Sequence, residues 1–174
     1  RSKPQLVYSR FVESAVDLAK YRTSLKITPV PVEEVNKKYS PELVIARNVS
    51  TTSPVIVIGT GPAGIFAALA LARADFKVII LDRGKKVDAR QQDWEKFIKT
   101  RELDEESNLL IGEGGAGTFS DGKLFTRTKD EDSNFVLKTF VEHGASADTI
   151  YLKRPHIGSD ILPRVAASMR REIE

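Results

Sequence analysis

The residues best suited to chemistry cluster at two places, and glycine dominates both. The first cluster is Gly59-Thr60-Gly61-Pro62-Ala63-Gly64, followed by Asp82. A dinucleotide carries a charged pyrophosphate, which a helix start can hold with unpaired backbone N–H groups and the positive end of its dipole. Gly59 lets the chain turn tightly out of a strand, Gly61 removes a side chain where phosphates approach, and Gly64 permits close packing of helix on sheet. Pro62 suits the first helical position, where its missing N–H and fixed φ cost little. Asp82 falls about 20 residues further on, where a carboxylate accepts hydrogen bonds from ribose hydroxyls. It would also repel a 2′-phosphate, an exclusion that the adjacent Arg83 weakens. The competing reading is a glycine turn in an unrelated α/β protein, with Asp82 paired to Arg83 or Lys85. Arg90, at the start of the next helix, is placed for phosphate contact.

The second cluster is Gly112-Glu113-Gly114-Gly115-Ala116-Gly117-Thr118-Phe119-Ser120-Asp121-Gly122-Lys123-Leu124. Consecutive glycines with Thr118 and Ser120 can fold their amides toward an anion, as backbone nests do. The alternative is a flexible surface loop with a turn at Asp121-Gly122. Glu113, between glycines, is expected either to touch a cofactor or to face water. Two histidines complete the inventory of candidates. His143 precedes Gly144 at a helix end, where a cation complements the dipole. His156 lies in a Pro-His-Ile-Gly turn, where it is either structural or an acid–base group. Neither has metal-ligand spacing with other residues, and there is no cysteine, so no metal site is expected.

The elements that must position these groups are legible around the first cluster. Val55-Ile56-Val57-Ile58 is a β-branched run, expected to be a parallel strand buried on both faces. Ile65 to Ala74 is helix-like, and Lys77 to Leu81 is a second buried strand, completing a βαβ unit. Asp88 is expected to cap a helix whose apolar face is Trp94, Phe97 and Ile98. Ser133 is expected to cap another that Gly144 closes, with Leu137, Phe140 and Val141 inward. Ser159 or Asp160 is expected to cap a last helix in which Ile161, Val165, Met169 and Ile173 share a face. Upstream, residues 1–53 suggest a small α+β region with strand candidates around Leu6–Tyr8, Leu25–Val32 and Leu43–Ala46. The polar stretch 50–53 marks its boundary with the domain at 54–174.

The bulk properties narrow the class. The 174 residues are 41% hydrophobic and 29% charged, as in a globular domain, and the net charge of +3 is spread along the chain. No basic stripe interleaved with aromatics is present, so nucleic acid is not an expected partner. No apolar run reaches the length of a membrane span, and no signal peptide opens the chain. Together with the missing cysteine, this suggests a cytoplasmic or other intracellular setting. The opening Arg1 and a helix that stops at Glu174 read as a fragment, truncated at its C-terminus.

The fingerprint by itself does not separate FAD from NAD. With its Pro62-Ala63 pair, however, Gly59 to Ala68 resembles the two-dinucleotide-binding-domain flavoproteins. The segment Gly112–Leu124 is similar to the signature of a family of FAD-dependent dehydrogenases, and Lys153-Arg154-Pro155-His156-Ile157-Gly158-Ser159-Asp160 resembles a further motif of that family. The resemblance covers 54–174, and the leading region suits the family's small first domain only by position. It implies an incomplete Rossmann-like α/β domain that binds FAD, within a flavin-dependent oxidoreductase of unspecified substrate. It also implies that Gly114, Gly115, Ala116, Gly117 and Thr118 pass near the pyrophosphate and isoalloxazine, and that Lys123 lies near the flavin's electron-rich end. An NAD-dependent dehydrogenase and a non-catalytic nucleotide-binding module remain as alternatives, and oligomeric state is not encoded in any motif.

Overall fold

The structure is a computed structural model that describes residues 52–126, 131–152 and 154–174. The α+β region expected at residues 1–53 lies outside the described residues, apart from Thr52 and Ser53, and so does Lys153 of the third motif.

The βαβ unit forms as its sequence requires. Strand β1 (Val55–Ile58) and strand β2 (Val78–Leu81) pair in parallel, with Val55 opposite Val78 and Ile58 opposite Leu81. Their β-branched side chains favour the pleated backbone. A parallel pair cannot be joined by a tight hairpin, and the crossover is helix α1 (Pro62–Arg73). Its Ala- and Leu-rich sequence has high helix propensity, and it buries Ile65, Ala68 and Leu69. The helix stops at Ala74, and Asp75 adopts φ +62° as the chain turns back into β2.

One expectation for the strands needs correction. Among the described residues they are covered on one face only. Successive side chains on a strand point to opposite faces; Val55, Val57, Val78 and Ile80 lie half-buried on the α1 side, while Ile56, Ile58, Ile79 and Leu81 are exposed. Ile58 is 84% exposed, because no described element covers its face of the sheet.

Three further helices follow: α2 (Val87–Thr100), α3 (Glu131–Glu142) and α4 (Leu162–Ile173), with a 3-10 turn at Ala147–Ile150 before α4. Their starts differ from the capping residues the sequence suggests. Asp88 sits inside the first turn of α2, Ser133 sits inside α3, and α4 begins after Ile161 with Pro163 in its first turn. Gly144 does close α3, at φ +112°. In α2, Trp94 stacks on Phe97 with ring centroids 5.6 Å apart, both half-buried, and Ile98 is exposed. The residues that α2 does bury are Val87 and Arg90.

Helix α4 packs against both α1 and α2. As its four-residue spacing predicts, Val165 and Met169 are buried, with Ile161 and Ile173 half-buried on the flanks of the same face. They meet Ile65 and Leu69 of α1, with Ala145 and Ile157, to form the core. Phe66 and Phe140 make an edge-to-face pair at its margin, centroids 5.5 Å apart. The core therefore lies behind α1 and leaves the glycine turn at its N-terminus on the surface. No helix among the described residues is long and apolar enough to cross a membrane.

Candidate functional site: two interlocked glycine loops

The first turn is built on three positions with different demands. Gly59 leaves β1 at φ +93°, a conformation L side chains rarely adopt, and its N–H donates to Leu81 O at the end of β2. At Gly64 a Cβ would lie 1.9 Å from Gly59 O, so the helix can sit this close to the strand only with glycine there. At Gly61 a Cβ would meet no atom within 4 Å. The missing side chain at Gly61 therefore relieves no contact within the protein; it leaves open space beside the helix start. No side chain caps α1, and its first intrahelical bond runs from Ile65 N–H to Gly61 O. The N–H groups of Ala63 and Gly64, which follow Pro62, precede that ladder at the positive end of the dipole.

Asp82 stands at the C-terminal end of β2 beside this turn, exposed. Its Oδ2 accepts from both the backbone N–H and the hydroxyl of Thr60, and its Oδ1 accepts from Gly84 N–H at 2.7 Å. Burial works to raise its pKa, but these three donors and the charge of Arg90 outweigh it and hold the carboxyl below its usual range. A carboxylate offers about four lone-pair sites. Oδ2 is saturated by Thr60, and Oδ1 keeps one site open. The neighbouring Arg83 turns away and pairs with Glu106 on the surface, both side chains about two-thirds exposed.

The second glycine segment docks directly on the first. Gly114 N–H donates to Thr60 O at 2.8 Å. A Cβ on Gly115 would come within 3.0 Å of Pro62 Cδ and 3.3 Å of Gly61 Cα. A Cβ on Gly84 would lie 2.4 Å from Gly112 Cα. Backbone touches backbone at both ends of the contact, so the two clusters form one site. Ala116 and Gly117 are its exposed tip, and a Cβ on Gly117 would also meet open space. Thr118 is buried with its hydroxyl turned inward beneath Gly114, facing the loop rather than a ligand.

Two buried charges hold this loop, and neither occupies the place its sequence position suggests. Arg90 is 2% exposed, too enclosed to meet a phosphate arriving from outside. Its guanidinium donates to Glu113 O, to Gly115 O at 3.2 Å and to Leu109 O at 3.0 Å, with the Phe119 ring 5.0 Å away. Glu113 is 4% exposed and faces neither ligand nor water. Its carboxylate accepts from Val87 N–H, the first of α2, at 2.6 Å and from Arg170 Nε of α4 at 2.8 Å. A carboxylate there satisfies an orphan donor and complements the helix dipole. Sequence reading looked for this cap at Asp88, because caps usually come from the residue preceding a helix; a cap supplied from 26 residues downstream leaves no local signal.

The remaining candidates scatter. Lys123 is 77% exposed and pairs with Asp121 at 2.9 Å, at the rim of the site. His156 is exposed in a bridge opposite Lys123, 4.0 Å from Asp121. His143 lies away from the loops, its side chain 6% exposed, with Nδ1 3.0 Å from Ser168 Oγ and Nε2 3.1 Å from Glu172. Burial pushes its pKa down more than Glu172 raises it, so it stays neutral rather than serving as a helix-end cation. An apolar cavity of about 170 Å³ opens between α1, α4 and the second loop, lined by Pro62, Phe66, Gly117, Leu124, Phe140 and Val165 among others. Among the described residues no cluster of three or more His, Asp or Glu could hold a metal ion.

Sequence comparison agrees with this geometry. The family of the FAD binding domain matches residues 54–93, which span β1, the glycine turn, α1, β2 and the start of α2. An uncharacterized protein of Clostridium beijerinckii is 50% identical over 119 residues, covering 68% of this chain and 22% of that protein. The chain thus spans about a fifth of the length of that relative. The residues fit the cofactor: open space over Gly61 and Gly117, an uncapped helix start, and a strand-end carboxylate with an acceptor site to spare. Residues 54–93 match the FAD binding domain and form the βαβ opening of an incomplete Rossmann-like domain, and the cofactor this match indicates is FAD.

Proposed function

We propose that this chain is the FAD-holding portion of a flavin-dependent dehydrogenase. The observation that carries the reading is the interlock of the two glycine segments, which lines one open slot with backbone from both. In that slot the start of α1 and the tip at Ala116 and Gly117 face the pyrophosphate, and the free lone pair of Asp82 Oδ1 accepts from the adenosine ribose. The apolar cavity beside Phe66 and Phe140 offers a wall suited to an aromatic ring system. When bound, FAD supplies hydride or electron transfer; the chain's own residues bind, orient and shield it. Lys123, at the rim, is the nearest exposed cation of the second segment and is assigned to the flavin side of the slot. We place substrate selection in the remainder of a longer protein, as the length of the relative suggests. The match of residues 54–93 to the FAD binding domain favours FAD over a nicotinamide dinucleotide at the same turn.

The test is the visible spectrum of the purified full-length protein, with chromatography of the ligand released on denaturation. FAD is the expected ligand. A colourless protein that takes up no added FAD would refute the reading. Reduction of the bound flavin by candidate small-molecule donors then tests the dehydrogenase assignment.

A further inference from the structure

The buried guanidinium of Arg90 has no part in a fingerprint of glycines and a carboxylate, yet it reaches the carbonyls of Glu113 and Gly115 and the ring of Phe119 in the second loop. A trans peptide is planar, so its C=O and N–H point in opposite directions. Arg90 draws in the carbonyls of Glu113 and Gly115. The N–H groups of the same two peptides, on Gly114 and Ala116, must therefore point away from it. For Gly114 that direction is visible: its N–H reaches Thr60 O in the first glycine turn. For Ala116 no acceptor lies among the described residues, and its neighbour Gly115 packs on Gly61 and Pro62. The Ala116 donor thus emerges beside the uncapped start of α1.

We infer that Arg90 is a positioning residue for the FAD pyrophosphate: it never touches the phosphates but aims the Ala116 N–H at them by holding the carbonyl of the same peptide. The inference rests on the FAD reading above and adds to it the residue that sets the loop's donor direction. Its charge contributes as well. A cation bound to a carbonyl polarises the peptide and strengthens its N–H as a donor. Arg90 itself stays buried, with the charges of Asp82 and Glu113 near it, while the N–H it polarises faces the anion. Lysine can replace it only in part, because one ammonium lacks the planar fork that reaches the carbonyls of Asn108, Leu109, Glu113 and Gly115.

The test compares three ligands on the full-length apoprotein: FAD, ADP, and adenosine, which lacks phosphate. Arg90→Met should weaken FAD and ADP about tenfold or more, the range for a hydrogen bond to a charged partner, and leave adenosine nearly unchanged. Arg90→Lys should recover only part of the loss. Equal weakening of all three ligands would mean that Arg90 merely holds the domain together, and unchanged ADP binding would also overturn the inference. Should Arg90→Met fail to fold, Ala116→Pro removes the donor directly at an exposed position. It is expected to show the same phosphate-dependent loss with adenosine binding retained, and wild-type ADP affinity in that variant would refute the assignment. If the wild-type protein binds adenosine and ADP but not FAD, the cofactor reading fails separately from the role of Arg90.

Discussion

Gly61 and Gly64 belong to one turn and answer to different demands. A methyl at Gly64 would overlap Gly59 O, so Gly64→Ala must push α1 off β1. We expect it to cost about 3 kcal/mol, the upper range for overpacking, measured by urea denaturation. The Cβ of Gly61→Val meets no protein atom, so stability should fall by no more than about 1 kcal/mol, the scale of a lost N-cap preference, yet FAD affinity should fall at least tenfold in titration. If FAD occupancy survived, the turn would not hold the pyrophosphate. These glycines were readable in advance because each is a local requirement of turn and helix start. Thr60 was not: a threonine inside a glycine fingerprint gives no hint that it bridges Asp82 and Gly114. Arg90 read as a phosphate contact for a parallel reason. Its partners are carbonyls, which every residue has, so no spacing rule announces them.

The helices fail and succeed at a larger scale, where packing sets the outcome. The apolar repeat of α4 placed Val165 and Met169 in the core because period and burial agree. The strands read as buried on both faces because a β-branched run describes an isolated strand, while burial depends on what else the chain supplies. Polar side chains on α4 link it to its neighbours, Arg170 at one place and Ser168 with Glu172 at another. Glu113 receives Arg170 and the first N–H of α2, so Glu113→Gln removes the charge from a buried pair. We expect it to destabilise by about 3 kcal/mol, in the range for breaking such a pair, with α2 losing hydrogen-exchange protection first. His143 lies at the other link, facing Ser168, Glu172, Glu142 and Arg73. Its folded pKa is lowered, so its contribution is fully present above the unfolded value of about 6.5 and is lost as pH falls through the folded value. Glu172, held low by Arg73, stays ionised through that window. The urea midpoint should therefore decline as pH drops below about 6.5, and His143→Gln should flatten that part of the profile.

At the scale of the whole molecule, the described residues form a parallel sheet of two strands with an apolar ladder, Ile56, Ile58, Ile79 and Leu81, open on one side. Parallel sheets are normally covered on both faces. We expect the 174-residue chain by itself to enhance the fluorescence of a hydrophobic dye, and Ile58→Ser with Leu81→Ser to reduce that signal. In a protein of the relative's length the same pair should be destabilising instead, because there the ladder has a cover to lose. Equal behaviour in both would show that this face stays bare.

The contact of Gly84 with Gly112 sets a limit of another kind. Where side chains meet, a fold adjusts by repacking; here main chain rests on main chain, with no room for even a methyl group. The gap between the two loops thus behaves like a machined clearance, fixed by the thickness of the polypeptide itself. Attempts to retune the proposed nucleotide slot will find no adjustment there, and must work at the exposed rim of Asp82 and Lys123.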